Sequence, residues 1–270
     1  MNKENIYDLY HNRGMSQSEI AVQMGISQGM ISYWMRKLGI ERKDRTWKIA
    51  GSRVKYAFDD SRTQRMDEDL AWVLGWVVGD GNVRTEGLEI LLSERDADVL
   101  HKVREVFGFG GPIKSGVVFL KKTGKWYRRA SLSIRRKSLA NWLIEIGVHP
   151  RKSQRETYPS ILEGCPNVIH RAFIRGLFEA DGTITRYSTG QMVFQIVGTK
   201  ELMRRVQSRL IGLLGLGRTK LYRQKRSRNH FMLRYVGNKQ VPRIMELLYA
   251  DGGYRMNRKY DTYQSLRRAA

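Results

Sequence analysis

Residues 73–81, VLGWVVGDG, and residues 174–182, IRGLFEADG, are two versions of one segment. Each is an apolar, helix-like run that ends in a small residue, an aspartate and a glycine. Small residues recur four apart, Gly75 and Gly79 in the first, Gly176 and Ala180 in the second. That spacing puts them on one helical face, where two backbones can approach closely. Two such helices packed together would bring Asp80 and Asp181 side by side at their C-terminal ends. The helix dipole disfavours an anion there, so a positive group must compensate, and a divalent cation is the natural candidate.

The segments sit in the same place in a longer repeat. After Asp80 the pattern predicts a strand around Leu88 to Leu92, a helix from about Asp96 to Phe107, two more strands, and a helix over about Leu139 to Ile146. After Asp181 the order returns: a strand around Met192 to Val197, a helix over about Lys200 to Leu214, strands near Lys220 to Lys225 and Phe231 to Val236, and a helix over about Val241 to Tyr249. Lys137 follows Asp80 by 57 residues and Lys239 follows Asp181 by 58, while PRKS at 150–153 echoes NRKY at 257–260. The expected fold class is therefore α+β, an internally duplicated αββαββα unit.

Composition limits what such a chain binds. A formal charge of +23 and a pI near 10.3 in 270 residues point to a polyanionic partner. About +16 of that charge falls in residues 151–270. No apolar run is long enough to span a bilayer and no secretory leader is visible, so nucleic acid is the expected partner and a membrane is not. The single cysteine, Cys165, excludes an internal disulfide, and the five histidines lack zinc spacing. A cytoplasmic, nucleoid-associated location in a bacterial, archaeal or phage-infected cell is the matching expectation.

Four parts are expected: residues 1–40, a basic linker over 41–66, and two halves over 67–165 and 166–270. In the first part Ser16 and Glu19 form a capping box, Gly25 breaks the helix, and Ser27 caps a third helix. Met30, Ile31, Trp34, Met35 and Leu38 form its expected buried stripe, and Gly39 its stop. Helix, glycine turn, helix in this register resembles the helix-turn-helix of bacterial and phage DNA-binding proteins. That resemblance implies a small all-α module presenting Gln28, Ser32, Tyr33 and Arg36 to the major groove. A bundle that only docks on other protein is the competing reading.

With its two segments and their spacing, the region from residue 67 to about 265 resembles the monomeric two-motif LAGLIDADG homing endonucleases. The resemblance implies pseudo-symmetric halves joined at the motif helices, with a saddle of antiparallel sheets over DNA. It implies that Asp80 and Asp181, with the backbone carbonyls of Gly79 and Ala180, hold Mg²⁺ or Mn²⁺. It also makes Lys137 and Lys239 candidates for polarising the attacking water or neutralising charge. The sequence departs from the signature at Val78 and Glu179, which occupy the first acidic position, and Arg175 must find a partner within an interface helix. The implied activity is a metal-dependent, staggered double-strand break at a long asymmetric site. A non-cleaving DNA-binding regulator and a maturase acting on its own intron RNA are the other readings of this scaffold.

Sequence reading by such a protein falls to strand faces. In 126–135, WYRRASLSIR, Trp126, Ala130, Leu132 and Ile134 share one face with the stem of Arg128, and Tyr127, Arg129, Ser131, Ser133 and Arg135 share the other. The second face can make bidentate arginine contacts to guanine. In the second half Arg223, Gln224, Lys225, Arg226, Arg228 and Arg234 are the corresponding candidates, with the register left open. Lys121, Lys122 and Lys125 are expected to position the DNA backbone rather than specify bases.

Overall fold

The computed structural model describes residues 3–41, 56–120, 123–225, 227–250 and 252–268. The chain divides into one compact unit ending before Tyr56 and a second from Tyr56 onward. Arg226, Lys121, Lys122, Asp251 and most of the expected linker lie outside the described residues. Among the described residues no helix is long and apolar enough to cross a membrane.

The first unit contains α1 (Lys3–Tyr7), a π-helical turn (Asp8–Asn12), α2 (Gln17–Gln23) and α3 (Gln28–Lys37). Ser16 accepts from the Glu19 amide while Glu19 accepts from the Ser16 amide, so two helix-end donors are satisfied reciprocally. Ser27 caps α3 through the Met30 amide. Gly25, at φ +67°, makes the turn between α2 and α3 in a conformation that side chains rarely adopt. Ile6, Leu9, Ile20, Ala21, Ile31, Met35 and Ile40 form its core. Met30, expected inside, is 46 % exposed, because it is turned about 100° from Ile31 and about 140° from Met35 around α3.

In the second unit the repeat appears twice. The first copy runs α4 (Glu68–Gly79), β1 (Gly81–Arg84), β2 (Gly87–Ser93), α5 (Ala97–Val106), β3 (Lys114–Leu120), β4 (Lys125–Ile134) and α6 (Lys137–Glu145). The second runs α7 (Asn167–Asp181), β5 (Gly182–Arg186), β6 (Met192–Thr199), α8 (Lys200–Leu214), β7 (Tyr222–Arg223), β8 (His230–Val236) and α9 (Gln240–Tyr249), followed by α10 (Asn257–Arg268). Each copy folds into a four-stranded antiparallel sheet, ordered β1-β2-β4-β3 and β5-β6-β8-β7. The architecture is α+β, two αββαββα copies in one hydrophobic core. The αββαββα unit calls for two strands before its middle helix, of which the pattern located only β2 and β6; β1 and β5 are the other pair, and helix α10 is an addition. Strands β1 and β5 are short and begin at the glycine of an Asp-Gly pair that reads as a turn.

Residues 56–66 pack against this core rather than linking to it. The Asp59 amide donates to the Phe107 carbonyl, the Arg136 guanidinium donates to the Tyr56 carbonyl, and Tyr56, Phe58 and Met66 touch core residues. The apolar side chains decide this: two aromatic rings and a methionine in eleven residues gain more by burial than a solvated linker would.

Candidate active site

Helices α4 and α7 are the centre of the second unit. Nine consecutive residues of α4, Leu70 to Val78, are buried, and so are ten of α7. The glycines set the approach. A Cβ built on Gly75 would lie 2.3 Å from the Phe173 carbonyl oxygen, and one on Gly176 would lie 2.1 Å from that of Trp72. Backbone therefore meets backbone, and no side chain fits between.

That contact carries the two helix ends together. A Cβ on Gly79 would lie 2.5 Å from the Ala180 Cβ and 3.0 Å from Asp181 Oδ2. Asp80 caps α4 and Asp181 is the last residue of α7, so both carboxylates stand at the same end of the crossed pair. Each keeps an open side to solvent, yet enough protein surrounds each group to raise its pKa. For Asp181 the value reaches about 6, from burial first and the Asp80 charge second. For Asp80 burial is again the largest cause, opposed by Lys152 and Lys259.

Those two lysines close the helix ends. Lys152 Nζ donates to the carbonyls of Val78, at 2.7 Å, and Gly79, at 2.6 Å. Lys259 Nζ donates to Phe178 at 2.9 Å, Gly182 at 2.6 Å and Ala180 at 3.5 Å. A cation at a helix C-terminus meets unpaired carbonyls and the negative end of the dipole, so the chain itself supplies compensating positive charge. Burial pushes the Lys152 ammonium below its ordinary pKa, with Glu156, Asp181 and Asp80 pulling it back. Burial, and then Arg258, bring Lys259 down to about 8.

Lys137 and Lys239 do not join this group. Both are exposed, at the first residue of α6 and the N-cap of α9. Strand register explains where they lie. Gly81 pairs with Ile90 and Arg84 with Gly87, and Gly87 packs on Ile134, Arg135 and Arg136 just before Lys137. Lys137 thus sits at the hairpin end of β1, about 10 Å along the strand from Gly81. In the second half Gly182 pairs with Ile196 and Arg186 with Met192, while Gly237 and Asn238 bind Met192 just before Lys239. The matched spacing therefore reports repeat-related positions, and neither lysine is among the charges that shift Asp80 or Asp181. The lysines that do arrive are those of the PRKS and NRKY echo, which was the available signal.

The donor set suits a hard cation. Two carboxylates with open sides and the carbonyls of Gly79 and Ala180 are all oxygen, and a carbonyl engaged by one ammonium keeps a second lone pair. Among the described residues no group of three or more His, Cys, Asp and Glu converges to form a closed metal cage. A cation here would keep most of its water. Beside Asp181 opens a cleft of about 340 Å³, lined in part by Gly79, Lys152, Glu156 and His230.

Buried charges in α7 find partners. Glu179 accepts from Trp72 Nε1 at 2.7 Å across the helix pair, and Arg175 donates to the Leu248 carbonyl at 3.0 Å. His170 Nδ1 lies 2.7 Å from the Tyr158 hydroxyl. Burial holds the Glu179 carboxyl above its usual range.

The expected strand faces also have definite positions. Ala130, Leu132 and Ile134 point into the core, while Tyr127, Arg129 and Ser133 are exposed and Ser131 half-buried on the other face. Arg135 is exposed one residue past β4. Trp126, grouped with the inward side chains by alternation, is 68 % exposed because β3 and β4 run beyond the core; it packs on Phe119. In the second sheet Tyr222 pairs with Met232 and Arg223 with Phe231, which fixes the open register. Gln195 stands opposite Arg234, whose guanidinium donates to the Tyr187 hydroxyl, and Arg223 donates to the Arg228 carbonyl. Gln224 and Lys225 line a shallow cleft with Arg234. In the first unit Gln28, Tyr33 and Arg36 are exposed and Ser32 is half-buried on α3.

Residues 169–249 match the model of the LAGLIDADG-like domain family. Among solved structures, the N-terminal LAGLIDADG domain of DUF199/WhiA is 15 % identical, over 75 % of this chain and 87 % of its own, with a TM-score of 0.46. The meganuclease I-SmaMI bound to uncleaveable DNA is 12 % identical over 75 % and 90 %, with a TM-score of 0.49. The I-LtrWI LAGLIDADG homing endonuclease bound to target DNA is 10 % identical over 75 % and 89 %, with a TM-score of 0.47.

Proposed function

We propose that this protein is a sequence-specific DNA endonuclease that hydrolyses one phosphodiester in each strand of a long asymmetric site. The observation that carries the reading is the meeting of Asp80 and Asp181 at the ends of α4 and α7, in a chain of formal net charge +23. Two phosphates of opposite strands can flank one such centre, so a single chain, acting as a monomer, makes a staggered break.

Asp80 and Asp181, with the carbonyls of Gly79 and Ala180, would hold Mg²⁺ or Mn²⁺. A bound divalent cation supplies charge neutralisation at the phosphate and a more acidic water. Lys152 and Lys259 brace the helix ends and set positive potential beside the reacting phosphates. Lys137 and Lys239, exposed at the starts of α6 and α9, contact phosphate and fix the duplex on the protein. Tyr127, Arg129, Ser131, Ser133 and Arg135 of the first sheet read bases, as do Gln224, Arg234 and their neighbours Arg223, Lys225, Arg226 and Arg228 of the second. The α3 face of Gln28, Ser32, Tyr33 and Arg36 enters a major groove as the recognition helix of a helix-turn-helix.

A randomised duplex library incubated with the full chain and Mg²⁺, with both cut ends sequenced, tests this reading. It predicts one enriched site and a constant stagger. Enrichment by binding without a cut in either strand would favour the non-cleaving regulator.

A further inference from the structure

The outward faces of the two sheets differ at positions that the repeat makes equivalent. Ile90 pairs with Gly81 and Ile196 with Gly182, so the residues that follow, Leu91 and Val197, correspond. From Leu91 a row crosses the first sheet through Ser131 to Lys114. The matching row of the second sheet runs from Val197 through Met232 to Tyr222. Neighbouring strands stand about 4.8 Å apart, so each row spans about 10 Å. The first row sets a hydroxyl and an ammonium beside one leucine, whereas the second sets three largely apolar side chains together.

These three side chains stand outside the core. Phe194, Ile196 and Leu233, on the other face of the same strands, are fully buried. Val197 and Met232 are half-buried, and Tyr222 is 50 % exposed. Met232 and Tyr222 line a cleft of about 390 Å³ whose other walls are Arg223, Gln224, Lys225 and Arg234. Arg234 lies across the row. Its guanidinium donates to the Tyr187 hydroxyl at 3.2 Å and to Met232 Sδ at 2.9 Å, and its Cζ is 6.0 Å from the centre of the Tyr222 ring.

An apolar floor inside a cationic rim suits a ligand that is anionic at its edges and apolar at its middle. Phosphates run along both edges of a DNA major groove, and the C5-methyl of thymine is the apolar group that a base pair displays within it. A purine N7 or O6 pressed onto Met232 or Val197 would lose water and gain no donor.

We infer that Val197, Met232 and Tyr222 form a thymine-reading surface, so that part of the target site is specified by methyl groups rather than by hydrogen bonds. The inference rests on the DNA-reading part of the proposal above and deepens it, independently of the cleavage chemistry. The rim arginines and lysine hold the flanking phosphates, and the row meets the base edges between them.

The test uses the full chain and the duplex it enriches by binding from a randomised library. Each thymine is replaced singly by deoxyuridine, which removes the methyl and leaves the base pairing. Affinity should fall about fourfold at about two or three adjacent positions, the effect of one buried methyl each. Met232→Ser, which carries the hydroxyl of the first sheet's row, should bind the thymine duplex about fourfold more weakly and lose the penalty at the thymine beneath it. Val197→Thr, nearly isosteric, should lose the penalty at a neighbouring position, while Ser131→Ala keeps all of them. An enriched site at which no thymine responds to the exchange, or penalties unchanged in both second-sheet variants, overturns the inference. The same penalties on a duplex that is bound but never cut with Mg²⁺ would support the inference and remove the nuclease reading. Failure to enrich any duplex would overturn both.

Discussion

Helices α4 and α7 do the same geometric work with opposite chemistries. From Leu70 to Val78, α4 buries only apolar side chains and glycine, whereas α7 buries His170, Arg175 and Glu179 among its apolar residues. What the two share is the pair of close-packing glycines and the terminal aspartate. The crossing therefore depends on backbone approach, and the rest of each interface helix is free to differ as long as its polar groups find partners. Glu179 finds Trp72 on the facing helix, so the polar helix is completed by its apolar twin.

The contact itself should break this pair most severely. Gly176→Val places two methyl groups where the Trp72 carbonyl stands, and the cost should be about 5 kcal/mol or more, seen as loss of the cooperative urea transition. Next is the exchange of chemistry between twin positions. Val78, 1 % exposed, is the counterpart of Glu179, and Val78→Glu buries a carboxylate among apolar neighbours at about 4 kcal/mol. Glu179→Gln keeps an acceptor for Trp72 Nε1 and should cost about 1 kcal/mol. Urea midpoints of the two variants compare them directly. Equal losses would show that α7 has no prepared polar network.

A smaller effect separates the aspartates from the helices that carry them. Asp181 titrates at about 6 in the folded chain against 3.8 for the model carboxyl, so between those values the folded state binds more protons than the unfolded. The metal-free protein should therefore lose stability as pH rises through that window and stay lower above it. The loss is on the order of 1 kcal/mol, since water at the open side screens the group. Asp181→Asn should flatten the profile in thermal melts. An unchanged slope would mean that Asp80 and the surrounding protein do not act on Asp181. Removing residues 1–40 should leave the melting transition of the second unit in place while lowering DNA affinity by about tenfold and reducing its salt slope.

How much of this was legible in the sequence differs between levels. The repeat, the helix pair and the alternation of β4 were readable because hydrophobic periodicity and glycine spacing are local signals. Strands β1 and β5, required by the αββαββα unit, could not be located, since four or five residues starting at the glycine of Asp-Gly carry too little pattern to outweigh a turn. Helix α10 was visible only as the NRKY echo, because its face is mostly polar. The lysines were the instructive case. Equal spacing from the aspartates drew attention to Lys137 and Lys239, but spacing within a repeat fixes equivalence and says nothing of distance. Lys152 and Lys259 reach the site because the chain turns back after α6 and α9, a tertiary fact that no window of sequence contains.

The central claim is that the acids ending α4 and α7 form one reactive centre. Its most direct test is purified Asp80→Asn and Asp181→Asn, each assayed for binding and for Mg²⁺-dependent cleavage of the selected duplex. The account predicts that both variants bind within a few-fold of wild type and that neither makes a double-strand break. A double-strand break made at near wild-type rate by either variant would contradict it.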